Sequence, residues 1–132
     1  MKSNQLNTSE QPSTASASSP RDNPCLGNDP TVAALDVFAD DGISYLPPYA
    51  QFLYAEKMSN PALEKEPDAP PEKMLIRFAT AEVVVLGSGL KRLEQGIQKY
   101  ELKFVKSADR RLAATLNTHI AAVTVTLTKE NV

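Results

Sequence analysis

The chain has no tryptophan, one cysteine and one histidine among its 132 residues. A lone Cys25 excludes an intrachain disulfide. With His119 the only histidine, the sequence lacks the partner that a zinc centre or a Cys–His nucleophilic pair needs. No run approaches the roughly 18 apolar residues of a membrane span. The opening MKSNQLNT is polar and carries no apolar stretch of signal-peptide type. These shortages point to a reducing, cytoplasmic setting and no membrane partner.

Large aliphatics are scarce in the first 30 residues, where only Leu6 and Leu26 stand among Ser, Thr, Asn and Pro. Such a segment buries too little apolar surface to offset its ordering entropy. Residues 1–30 therefore read as a disordered tail, and 31–132 as a single domain. The net charge of −2 conceals an asymmetry: residues 1–73 carry −6 and residues 74–132 carry +4. The acidic part can fold back on the basic part, or each can meet its own partner. The plainest role of these charges is solubility.

What is present reads as α+β. In ALDVFADDGISYLP (34–47), Asp-Gly between two apolar runs signals a hairpin over 34–46, with a short helix capped by Asp29 as the competitor. PYAQFLYAEKM (48–58) suits a strand by its aromatics and a helix by its leading proline. Four prolines and five charges make 59–72 an exposed loop. Its PxxP, Pro67 to Pro70, is the kind that long loops produce by chance.

KMLIRFATAEVVVLG alternates through Met74, Ile76 and Phe78, then slips phase, which suggests a bulge at Ala79-Thr80. Val83 to Leu86 are continuously apolar, as in a strand covered on both faces. Leu90, Leu93, Ile97 and Tyr100 form one helical stripe over 90–100. LKFVK (102–106) reads as a strand, and SADRRLAATLN as polar and weakly helical. HIAAVTVTLTK alternates Val123, Val125 and Leu127 against threonines, as an edge strand does.

Gly87-Ser88-Gly89, between strand and helix, supplies two glycines of a dinucleotide fingerprint. The third position is Arg92, too large for that role, and no Gly-Lys-Ser/Thr marks a P-loop. Asp109 stands about 20 residues on, where an acidic ribose ligand would be sought. The plain alternative is a corner in which Ser88 caps the helix. An intermediate reading keeps an anion there, because Lys91 and Arg92 in the first turn oppose the helix dipole unless an anion offsets them.

Arg92, Gly96 and Lys99 share one helix flank, and Gly96 implies close approach by another backbone. Lys103, Lys106, Arg110 and Arg111 continue the basic character, with Tyr100 and Phe104 nearby, as a nucleic-acid surface would need. A pI near 5.4 counts against that reading. Carboxylates Glu56, Glu82, Glu94 and Glu101 are scattered, and His119 reads as a strand-end residue.

The expected fold is thus a mainly antiparallel sheet of about four to six strands with one principal helix packed on it. The expected function is a non-enzymatic interaction or assembly domain with a protein partner, self or other. No catalytic residue, cofactor or metal ligand is assigned. The second reading is a binder of an anionic ligand, nucleic acid or a phosphate compound. Its contacts would come from Gly87, Ser88, Gly89, Lys91, Arg92, Lys99, Lys103 and Lys106.

Overall fold

The computed structural model describes residues 23–128, so residues 1–22 of the expected tail lie outside it. Residues 23–30 do not belong to a tail. Leu26–Asn28 form strand β1, and Cys25 and Leu26 are buried in the core. Averaged composition hides two apolar side chains at the end of a polar segment, and those two suffice to anchor it. The Asn23 side chain adds to the anchor, donating to Thr118 O and accepting from Cys25 N–H.

The hairpin over 34–46 forms. β2 (Asp36–Phe38) pairs antiparallel with β3 (Ser44–Tyr45), and Gly42 supplies the positive φ of the turn. Both tendencies of 48–58 are realised in succession. A 3-10 turn over Tyr49–Gln51 leads directly into β4 (Phe52–Ser59). The proline-rich loop follows, opened by a short 3-10 turn over Pro61–Glu64. Buried Asn60 ties its two ends together, accepting from Ala62 N–H and donating to Pro70 O.

β5 (Glu72–Phe78) and β6 (Ala81–Ser88) form a long hairpin, and the slip at Ala79-Thr80 is its turn, not a bulge. A two-residue turn pairs Arg77 with Glu82, so even positions in β5 share a face with odd positions in β6. Met74, Ile76 and Phe78 therefore point inward together with Ala81, Val83 and Val85. Val84 and Leu86 are half-buried on the opposite face.

The helix, α1, spans Lys91–Gln98, shorter than the apolar stripe. Leu90 is its N-cap, and Tyr100 lies past its end with φ 57°. Leu90, Leu93 and Ile97 are buried, each worth about 1.5–3 kcal/mol of transfer free energy. Gly96 lies against Leu102, so the close neighbour belongs to the same domain. β7 (Leu102–Lys106), a 3-10 turn over Arg110–Leu112 and β8 (His119–Leu127) complete the chain.

The architecture is α+β, mainly antiparallel, with one helix. Its eight strands divide into two four-stranded sheets, β1-β7-β2-β3 and β4-β5-β6-β8. One parallel pairing, β2 with β7, interrupts the antiparallel pattern. Both sheets and α1 contribute to a single apolar cluster, which includes Val37, Val105, Ile76, Val85 and Leu93. β4 and β8 are the edges of the second sheet, the position expected for the threonine-lined strand. Leu127, the last residue of β8, is 59% exposed.

Candidate functional site

The Gly-Ser-Gly corner is where the sequence hinted at chemistry, and its geometry has a local cause. A Cβ on Gly87 would lie 2.1 Å from His119 O, and one on Gly89 would lie 1.9 Å from Asn117 O. Gly89 also has φ +64°, which side chains rarely adopt. The start of β8 crosses so close to this corner that only glycine fits. Thr118 Oγ1 fastens the crossing by donating to Gly89 O at 2.8 Å.

Ser88 does not cap α1. It lies within β6, in register with His119, and the N-cap position falls to Leu90. Leu90 N–H donates instead to Glu72 Oε1 at 2.8 Å, from the first residue of β5. A carboxylate thus already occupies the helix start, where the partial positive charge favours an anion. Of the five cations proposed for an anion site, Lys91 and Arg92 alone stand at the helix start. Lys91, Arg92 and Lys99 belong to α1 and its C-cap, while Lys103 and Lys106 lie on β7 in the other sheet. Lys106 Nζ sits 5.6 Å above the Phe38 ring.

Gly87 and Ser88 instead line a cleft of about 350 Å³ together with Pro71, Arg110 and His119. None of the five cations lines it. His119 is buried, and its Nε2 lies 3.1 Å from both Ala108 O and Asp109 O. Carbonyls only accept, so Nε2 carries the hydrogen and the ring is fixed by its backbone neighbours. Among the described residues no side-chain hydrogen bond joins Ser88 to His119. Asp109 accepts from Arg111 N–H and pairs with its guanidinium, and these contacts lower its pKa. Its role is to cap a turn. Among the described residues no three His, Cys, Asp or Glu side chains cluster as metal ligands.

A second surface was not legible as a site. β4 is an edge strand eight residues long, and six of its residues are exposed. Leu53 and Tyr54 are 57% and 46% exposed. Among the described residues, no hydrogen bond reaches the backbone of 53–59 from the side away from β5. Beside this edge, a groove of about 570 Å³ runs between β4 and α1, lined by Phe52, Tyr54, Glu94, Gln98 and Tyr100 among others. Tyr100 stacks on Tyr49 at 5.2 Å and meets Phe52 edge-on at 5.8 Å. The signal in the sequence was the density of aromatics at 49–54, which fitted a core strand equally well.

No helix among the described residues is long and apolar enough to cross a membrane. No family model, curated protein or solved structure matches the chain.

Proposed function

We propose that the chain is a non-enzymatic interaction domain that receives an extended segment of a protein partner on the open edge of β4. One observation carries this reading: the two long edges of the second sheet are treated differently. The β8 edge is occupied at Ile120 by Cys25 and Ala108 and at Val123 by Asp40, residues that flank the strands of the first sheet. The β4 edge presents its unpaired backbone groups beside exposed Leu53, Tyr54 and Met58. Free N–H and C=O groups in strand geometry accept another strand readily. Cys25, a buried free thiol, suits a reducing, cytoplasmic setting. The second reading, an anionic ligand at the Gly-Ser-Gly corner, has less support, because Glu72 already serves the helix start.

The test is a titration of the 15N-labelled chain with a neutral peptide of alternating threonine and valine. Amide shifts should concentrate on Phe52–Ser59, and Leu53→Lys combined with Met58→Lys should weaken them without lowering the thermal midpoint. Shifts on β8 alone, or none, would refute the proposal.

A further inference from the structure

We infer that the segment received by β4 carries a basic side chain, lysine or arginine, which enters the groove between β4 and α1. This inference rests on the edge-docking reading and specifies its partner.

The first argument removes the alternative occupant, a second copy of the chain. Two β4 strands related by a two-fold axis form one continuous sheet only when the axis passes through a residue. The regular part of β4 is 54–59, because the register breaks between Phe52 and Tyr54. An axis through Glu56 pairs 54–58 but sets Glu56 opposite its own copy. An axis through Lys57 pairs 55–59 but opposes two lysines. Like charges directly opposite are destabilising. An axis through Ala55 or Met58 leaves only 54–56 or 57–59 in register. The strand is built against itself and open to others.

The second argument is the chemistry of the groove. Glu94 is its one charged lining residue, exposed on α1 and without an ion pair among the described residues. The helix cations Lys91, Arg92 and Lys99 do not line it. Phe52, Tyr54 and Tyr100 contribute aromatic surface, whose negative ring faces attract a cation. Tyr100 is 49% exposed and is held at the groove by its contacts with Tyr49 and Phe52, against an unfavourable φ of 57°. A ring fixed in this way loses little freedom when a ligand arrives. A carboxylate beside aromatic faces selects an ammonium or guanidinium group over an acid.

The experiment compares three ten-residue peptides with the same alternating threonine and valine frame, bearing lysine, glutamine or glutamate at two alternate positions. Affinity for the full chain is measured by calorimetry, with amide shifts recorded in parallel. The lysine peptide should bind about tenfold tighter than the glutamate peptide, a difference of about 1.4 kcal/mol. Glu94→Gln, on an exposed helix position, should shrink that ratio to about threefold or less while the shifts stay on β4. Equal affinities, or a preference for glutamate, with shifts still on β4 would overturn this inference and leave the edge reading standing. Absence of binding by all three peptides at millimolar concentration would overturn both.

Discussion

Asp40 holds both backbone groups of Val123. Its N–H donates to Val123 O at 2.9 Å, and its Oδ2 accepts from Val123 N–H at 3.0 Å. Its other oxygen accepts from Ser107 Oγ at 3.0 Å. A single residue in the turn after β2 thus imitates one rung of a neighbouring strand and closes the middle of the β8 edge. Nothing equivalent faces β4 among the described residues, and the docking proposed for β4 rests on this contrast.

Asp40→Ala should destabilise the fold by about 1–2 kcal/mol in urea denaturation, because the Val123 N–H loses its acceptor. Asp40→Asn keeps one side-chain acceptor and should cost less. Equal costs for the two variants would mean that the charge, and not the acceptor, holds the rung.

Gly87→Ala and Gly89→Ala should each cost more than about 2 kcal/mol. In both, the added methyl meets a backbone oxygen of the 117–119 segment, which cannot yield as a flexible side chain would. Gly89→Ala adds the strain of a positive φ and should be the worse of the two. Thermal denaturation of both variants measures this, and near-wild-type midpoints would show that β8 can move away from the corner.

The elements that follow from local pattern were legible. Asp-Gly at 41–42 marked its hairpin, and the alternation of 119–127 marked an edge strand. Readings failed where one distant contact overrode the pattern. The tail boundary missed Cys25 and Leu26 because their burial depends on β7 and β8, which lie far along the chain. Ser88 was assigned as a helix cap by proximity, whereas the cap comes from Glu72, 18 positions earlier in sequence. The bulge at Ala79-Thr80 was a turn, since a phase slip reads the same in either case. The β4 site was illegible for a further reason. Whether an edge lies open or covered depends on groups distant in sequence, as Asp40 is from Val123, and the pattern of 52–59 carries no trace of that.

Glu72→Ala should cost about 0.5–2 kcal/mol, as the loss of a side-chain cap does elsewhere. In the wild-type chain, phosphate should raise the thermal midpoint no more than sulfate at matched ionic strength, beyond the salting-out effect both exert. In Glu72→Ala the N-cap amide of Leu90 loses its acceptor, and phosphate should recover part of the loss. Saturable stabilisation of the wild type at millimolar phosphate would instead restore the anion reading.

Stability should fall on the alkaline side. Burial raises the pKa of the Cys25 thiol above its ordinary 9.0 and that of the Tyr49 phenol above its ordinary 10.0. The folded chain then holds these protons more tightly than the unfolded chain. Their contribution is intact below the ordinary values and is lost as pH rises through them. The thermal midpoint should therefore decline from about pH 9 and more steeply beyond about pH 10. Tyr49→Phe should flatten the upper part while costing about 1–3 kcal/mol at neutral pH. That cost arises because Leu102 O loses the buried hydroxyl that donates to it.

Tyr100 offers the sharpest test of backbone strain. It is the one non-glycine residue with positive φ among the described residues, at a helix terminus where glycine is the usual occupant. Its ring contacts with Tyr49 and Phe52 are worth about 0.5–1.5 kcal/mol each. Tyr100→Ala removes both contacts and keeps the strain, so it should cost about 1–3 kcal/mol. Tyr100→Gly removes the same contacts but relieves about 1 kcal/mol of strain. Glycine should therefore be more stable than alanine at position 100 by about 1 kcal/mol, reversing the order found inside helices. Urea midpoints of the two variants decide the matter. Alanine equal to or above glycine would show that residue 100 leaves the left-handed region once its ring is gone, and that aromatic packing alone had held it there.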